Sequence, residues 1–459
     1  MLRSINPFTG KCIREWQESS KEDIQRMLEE ADSAFRFWSG VGASYRSKRL
    51  LKVADLLESS RNHLAVEMAA EMGKPVSQGQ SEIEKCAWVC RYYAENGEDF
   101  LADEPMDSDA SESYVCYQPL GVILAVMPWN FPFWQLFRFA APAVMAGNAF
   151  ILKHSPNVTG CAVRIMELFH EAGFPKGLAG LAVLSDENLE EKVGRIVSDR
   201  RISAVTLTGS GRAGSSLASQ AGRAIKKSVL ELGGSDPAIV LEDADLKKAA
   251  AETVFSRLIN TGQNCIASKR FIVDESVYDE FLQLLLKEMT SRRMGDPMDS
   301  KTDLGPLARY DLRDELHRQV SASIDMGAKC LTGGKVPDHE GAFYPATVLA
   351  GCRKGMPVFN EETFGPVAAL CRASDETEAI EIANDTPFGL GASVFTRNVR
   401  RGERIALELK AGACFVNAFV RSDPRLPFGG IGMSGFGREL SRTGMLEFTN
   451  RKTVYIDEG

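Results

Sequence analysis

Val122-Ile123-Leu124-Ala125-Val126 and Ala149-Phe150-Ile151-Leu152-Lys153 are the two runs that decide the fold. Each is short and apolar, without the alternation of a half-exposed strand. That pattern fits strands buried on both faces of a parallel sheet. Between them, 142–147 reads as helical, and a helix over 158–172 follows, stopped by Gly173-Phe174-Pro175. Further strands are expected at 180–184, 204–208 and 227–232, the last running into Gly233-Gly234. Alternation of strands and helices predicts an α/β fold with a parallel sheet covered on both faces. Ligands of such sheets sit beyond the carboxyl ends of the strands.

Working outward, the first hundred residues read as helices. Ser20-Lys21-Glu22-Asp23 has the form of a capping box, and Ile24, Met27, Leu28, Ala31, Ala34 and Phe35 then recur at helical spacing. A second helix carries Leu50, Leu51, Ala54 and Leu57, and two more are expected before Asp103. The acidic stretch 103–112 reads as a loop or the approach to a hairpin. On the other side, a second alternating series begins at Pro237, with a strand at 238–241, helices over 246–260 and 275–291, and a strand at 415–417. Thr453-Val454-Tyr455-Ile456 is strand-like and needs a partner strand, in this chain or in another subunit.

The bulk properties narrow the class. At 459 residues, 44% hydrophobic and 25% charged, the chain has the composition of a globular protein with two or three domains. A net charge of −8, with no basic stripe interleaved with aromatics, argues against nucleic acid as a partner. No apolar run is long enough to cross a bilayer, and the start lacks the apolar core of a signal peptide. Ten cysteines without paired spacing point to a reducing, cytoplasmic setting. Cys86 and Cys90 read as one buried helix face. Five histidines and no CxxC leave no expected metal site.

Several segments could carry chemistry. Cys265 closes the polar loop Asn260-Thr261-Gly262-Gln263-Asn264 and is a candidate nucleophile among many cysteines. Asn130, in Pro128-Trp129-Asn130-Phe131-Pro132, could donate to a developing oxyanion or could be a turn residue. Lys153 at a strand end could bond ribose hydroxyls or simply be solvated, while His154 has no visible partner and reads as structural. Thr208-Gly209-Ser210-Gly211-Arg212-Ala213-Gly214 opens a helix after a strand, where backbone N–H groups can meet a pyrophosphate. It lacks the full G-x-G-x-x-G pattern. Glu231 ends an apolar strand, where burial would lift a carboxyl toward general-base range; the alternative is a salt-bridged glutamate. Glu361-Glu362-Thr363-Phe364-Gly365-Pro366 adds a carboxylate and an aromatic in a turn.

Taken together and in this order, these segments resemble the aldehyde dehydrogenase superfamily. The resemblance spans the chain from Asn6-Pro7 to Pro427-Phe428-Gly429-Gly430 and Ser434-Gly435-Phe436-Gly437-Arg438-Glu439, and the spacing of Glu231, Cys265 and Glu362 fits it. The succinate-semialdehyde dehydrogenase branch is the most similar. The segments that carry this are Trp134-Gln135-Leu136-Phe137-Arg138-Phe139, Lys153-His154-Ser155-Pro156-Asn157 and Arg421-Ser422-Asp423-Pro424-Arg425-Leu426-Pro427.

The resemblance implies a Rossmann-type dinucleotide-binding domain over 1–102 and 122–231, and a catalytic domain over 232–438. It assigns 103–121 and 439–459 to strands of a homodimer or homotetramer. It implies Cys265 as nucleophile, Asn130 as oxyanion-hole amide and Glu231 as the base that activates the hydrolytic water. Trp129, Lys153, Ser155, Gly209, Ser210, Gly214, Leu232, Gly233, Glu362 and Phe364 would hold the cofactor. Arg138, Trp134, Arg421 and Ser422 would meet the substrate, with Arg138 pairing a distal carboxylate. Glu231 favours hydrolysis over transfer of the acyl group to coenzyme A.

Three positions depart from relatives. Ile259 stands where some members carry a second arginine before the nucleophile, which leaves glutarate semialdehyde, sulfonated or uncharged aldehydes open as substrates. Ile266 and Ala267 leave no neighbouring cysteine for a redox switch. Pro156 replaces a glutamate that bonds the adenosine ribose in many NAD-preferring members; NAD is expected, with NADP open. The other functional class is a non-catalytic binding protein on the same fold, against which the complete set Asn130, Glu231, Cys265 and Glu362 speaks.

Overall fold

The computed structural model describes residues 1–458; Gly459, the last residue of the segment expected to pair between subunits, lies outside them. Two sheets carry most of the chain. The first has six strands in the order Gly435–Phe436, Lys227–Glu231, Ile202–Thr208, Val122–Met127, Ala149–His154 and Ala179–Leu181. Its five long-established members are parallel, and only Gly435–Phe436 runs antiparallel, on Lys227–Glu231. Both deciding runs of the sequence lie side by side at its centre, Ile123 opposite Phe150 and Leu124 opposite Ile151, and all four side chains are buried. The near-continuous apolar pattern therefore has its physical cause in burial on both faces.

The second sheet has seven strands, in the order Lys329–Thr332, Thr347–Ala350, Val367–Ala373, Arg270–Asp274, Pro237–Val240, Gly391–Phe395 and Ala413–Val416. It is parallel except at the first pair. A third, antiparallel sheet joins Thr449–Ile456, Glu112–Pro119 and Glu104–Pro105. The terminal strand thus finds its partner in this chain, pairing Thr453 with Val115, and its other edge is unpaired among the described residues.

The capping box is formed: Ser20 Oγ accepts from Asp23 N at 3.0 Å and the Asp23 carboxylate accepts from Ser20 N at 3.0 Å, opening the helix Lys21–Ser39. Three helices rather than four precede Asp103 among the described residues, because Ala43–Met72 runs unbroken, with no Gly or Pro inside it, to Gly73 at φ 75°. Cys86 and Cys90 share the buried face of the helix Val76–Phe100. A hairpin, Leu2–Ile5 with Cys12–Trp16, stands where helix was expected; its second strand is largely exposed and leaves no apolar pattern to read. The helix expected at 142–147 is longer, Trp134–Met145, with Pro142 inside it. Its start is capped from another element: one Glu82 oxygen accepts N–H bonds from Phe133 and Trp134, both 2.9 Å. Among the described residues no helix is long and apolar enough to cross a membrane.

The two large sheets are joined beside the glutamate strand. Ser434 Oγ donates to the Gly233 carbonyl (2.6 Å) and accepts from Gly389 N–H (3.0 Å), while Leu232 N–H donates to the Ser434 carbonyl (3.0 Å). Glu231 lies next to this junction in sequence.

Candidate active site

The loop that presents Cys265 is held in an unusual backbone shape. After the helix Leu246–Leu258, Asn260 (φ 55°), Thr261 (φ 54°) and Gly262 (φ 76°) are three successive left-handed residues. Each non-glycine residue there costs about 1–2 kcal/mol, so the surroundings must hold the shape. Thr261 Oγ1 accepts from Gly305 N (3.0 Å) and donates to Gly305 O (3.3 Å). Asn260 Nδ2 donates to the carbonyls of Asn130 (2.6 Å) and Gln263 (3.1 Å), and Gln263 Oε1 accepts from Ala308 N (2.9 Å). Buried Arg257 donates to the Gly262 carbonyl. Gly262 has no alternative at its position, since a Cβ would collide with the Gly365 backbone. Lys269, fully buried, completes the frame by donating to the carbonyls of Asn264 (3.1 Å) and Cys265 (2.6 Å).

The result is a half-buried thiol on the wall of a cavity of about 470 Å³. Burial pushes the Cys265 thiol up to about 12, against the pull of Arg138 and Lys269. Burial thus favours the thiol over the thiolate, and attack requires removal of its proton. Its backbone N–H has no hydrogen-bond acceptor among the described residues and is available to an oxyanion. Asn130 is buried beside the same loop, and its Nδ2 donates to the Gln263 carbonyl (3.1 Å). One of the two N–H bonds of that amide thus fixes the side chain and the other is left for a ligand.

Glu231 ends its strand 2% exposed, and neither carboxyl oxygen has a hydrogen-bond partner among the described residues. Burial raises it well above the ordinary carboxyl range, Arg138 pulls it down and Glu439 pushes it further up. It is not the salt-bridged strand-end residue of the duller reading. Gly429, at φ 152°, packs against its Oε1, so any side chain there would take the carboxyl's place.

Arg138 is placed differently from the expectation that it waits for a substrate carboxylate. It lines the cavity, but its Nε is ion-paired with buried Glu439, its Nη2 donates to Thr208 Oγ1 (3.2 Å), and the guanidinium lies 4.6 Å over the Phe428 ring. A buried carboxylate thus already pairs the guanidinium on its Nε side. Trp134, Arg421 and Ser422 line the same cavity. Arg421 is exposed, with its guanidinium 5.9 Å from the Phe419 ring, whereas Ser422 is buried.

The residues expected to hold a dinucleotide gather at the carboxyl ends of the six-stranded sheet. Lys153 is buried at the end of its strand and has no hydrogen-bond or ion-pair partner among the described residues; burial lowers its pKa. Ser210 is the N-cap of the helix Gly211–Arg223, accepting from Ala213 N (3.3 Å), so Gly209 and Ser210 sit at a helix N-terminus. Gly214 lets that helix close on Leu232, whose Cδ2 would lie 2.6 Å from an added Cβ. Gly233 lies against the Glu362 carboxylate, which accepts from Gly234 N (3.1 Å) and lies 3.7 Å from Lys269. Trp129 and Phe364 meet edge to face at 5.6 Å. Ser155 turns its hydroxyl to Asn157 (2.7 Å) and its N–H to His154 Nδ1 (2.9 Å). With Nε2 against the Pro132 carbonyl (2.9 Å), His154 is a buried structural histidine whose pKa burial lowers to about 4. An orphaned ammonium, a helix N-terminus and a carboxylate in a glycine cradle are a donor and acceptor set that fits a dinucleotide's hydroxyls and phosphates.

Four participants escaped the sequence reading. Glu439 lay inside a quoted motif without a role, and an acid ending a glycine-rich strap was its only signal. Asn260 was likewise quoted only as part of the nucleophile's loop. Lys269 is indistinguishable by sequence from any lysine beside a strand. Lys85 lines the cavity from the helix Val76–Phe100, far from every motif.

Comparison with known proteins agrees with this geometry. The model of the aldehyde dehydrogenase family matches residues 1–454. A probable succinate-semialdehyde dehydrogenase [NADP(+)] of Synechocystis sp. is 49% identical over 455 residues, 99% of each chain. The succinate semialdehyde dehydrogenase [NAD(P)+] of Escherichia coli is 45% identical over 454 residues, 99% of this chain and 97% of the other. Among solved structures, the succinic semialdehyde dehydrogenase of Streptococcus pyogenes in complex with NADP+ superposes with a TM-score of 0.97 at 38% identity over the whole of both chains. A cysteine loop held in a left-handed backbone shape, an orphaned buried glutamate at a strand end and whole-length similarity lead to one conclusion: the chain belongs to the aldehyde dehydrogenase family.

Proposed function

We propose that the protein oxidises a short aldehyde with an anionic tail, foremost succinate semialdehyde, to the corresponding acid. The observation that carries this reading is a single cavity whose wall holds Cys265 together with the cationic side chains of Lys85 and Arg421 and the hydroxyl of Ser422, with Arg138, paired to Glu439, on the same wall. The names of the relatives support the same substrate.

In this reading the Cys265 sulfur, once deprotonated, adds to the aldehyde carbon. The oxyanion faces the Cys265 N–H and the second N–H of the Asn130 amide. Bound NAD(P)+ supplies the hydride acceptor, and Lys153, Ser210, Glu362 and the Gly233 cradle are the groups that hold it, with Trp129 and Phe364 bordering it. Loss of hydride leaves a thioester on Cys265. Glu231 takes a proton from water, and hydroxide attack releases the acid and the thiol. Its buried, unpartnered carboxyl, held above the ordinary carboxyl range by burial, suits a general base.

Both cofactors are expected to serve, because Pro156 places no carboxylate where a 2′-phosphate would lie; relatives named for NADP+ favour the phosphorylated form. The six-stranded sheet with the N-terminal helices is read as the dinucleotide-binding domain and the seven-stranded sheet as the catalytic one. The edge of Thr449–Ile456 is read as the seam of a cytoplasmic homodimer or homotetramer. A spectrophotometric panel tests the function: succinate semialdehyde, glutarate semialdehyde and butanal, each with NAD+ and NADP+. The highest kcat/KM is expected for succinate semialdehyde, and no reduced cofactor with any aldehyde would discard the reading.

A further inference from the structure

We propose that Lys85 binds the distal carboxylate of the substrate, with Ser422 as its hydrogen-bonding neighbour. The assignment rests on the anionic-aldehyde reading above and names the group that provides its selectivity. It also answers what replaces the missing cation at Ile259: a lysine from the helix Val76–Phe100 rather than an arginine before the nucleophile.

Three observations place Lys85 in this role. It lines the cavity that contains Cys265, Trp134 and Ser422. Its ammonium donates to Ser422 Oγ (2.8 Å) and lies 4.3 Å over the Trp134 ring, so it is aimed by two walls at once. No carboxylate pairs with it among the described residues. This sets it apart from the neighbouring cations: Lys74 is paired with Glu82 and Arg138 with Glu439. An ammonium has three donors, and only one is committed. A half-buried cation without an anion is unfavourable in the empty protein, and a ligand carboxylate removes that cost by forming a charge-assisted hydrogen bond.

The groups that face Lys85 fix the sign of the pH dependence. Burial and then Arg138 lower its pKa to about 8, while Cys86, Asp423 and Glu82 act in the opposite direction. Carboxylate binding therefore weakens as pH rises through about 8 and Lys85 loses its proton. Uncharged aldehydes should show no such loss from this group.

The test compares wild type, Lys85→Met and Lys85→Arg on succinate semialdehyde and on butanal, with succinate titrated calorimetrically onto each protein as a binding readout. Lys85→Met keeps the apolar stem on Trp134. It should raise KM for succinate semialdehyde roughly 10- to 100-fold, with little change for butanal, and lose succinate binding by a similar factor. Lys85→Arg should recover much of both and move the alkaline rise in KM beyond the measurable range. Equal changes for the two aldehydes, or undiminished succinate binding in Lys85→Met, would overturn the role of Lys85 while a wild-type preference for the anion kept the functional reading. A wild type with no preference for the anionic aldehyde would overturn the functional reading itself, and the role of Lys85 with it. If Lys85→Met is unfolded by circular dichroism, Lys85→Gln replaces it with the same two outcomes.

Discussion

Around Cys265 the cavity wall is backbone, whereas around Ser422 it is built of side chains. The first region consists of three left-handed residues, a glycine pressed on Gly365, and carbonyls bonded by Asn130, Asn260, Arg257 and Lys269. The second joins Lys85, Trp134 and Ser422 from two helices and a C-terminal loop, through one hydrogen bond and one cation–ring contact. Backbone frames fix atoms for a reaction common to all aldehydes. The side-chain frame is the part proposed to select among aldehydes, and it can be changed one residue at a time.

That contrast can be broken in order of effect. Cys265→Ala removes the nucleophile and should abolish turnover with cofactor binding intact, as read by quenching of protein fluorescence; residual steady-state activity would refute the nucleophile. Glu231→Gln should lower kcat roughly 10²- to 10⁴-fold while leaving a first-turnover burst of reduced cofactor, seen by stopped flow. An unchanged steady state would end the general-base role. Gly262→Ala forces a Cβ onto the Gly365 backbone and should cut kcat for every aldehyde alike, together with a lower Tm. Arg138→Met strands Glu439 as a buried charge beside Glu231, so kcat should fall for charged and uncharged aldehydes by similar factors. A loss confined to anionic aldehydes would return Arg138 to the role its sequence context suggested. Ser422→Ala, the smallest change, should raise KM for succinate semialdehyde only several-fold and leave kcat unaltered.

The same contrast explains what was legible in the sequence. Cys265, Glu231 and Asn130 could be singled out because each sits in a short contiguous segment, and the order and spacing of those segments carry the family resemblance. The two central strands were legible because double burial leaves an uninterrupted apolar run. Lys85 was not legible: it meets Ser422 across 337 residues, and a lysine on a helix looks the same whether it faces solvent or a cavity. Arg138 was found by resemblance but not its partner Glu439, since an ion pair closes only in three dimensions. The N-terminal hairpin was missed for want of buried side chains, and the helix count because periodicity does not show where one helix ends when no breaker intervenes.

The Ser434 junction has a mechanical consequence. One hydroxyl stitches Gly233, beside the glutamate strand, to Gly389, ahead of the strand Gly391–Phe395 of the other sheet. The cleft is thus pinned at its root by a single side chain, so that losing this one hydroxyl would release both attachments at once.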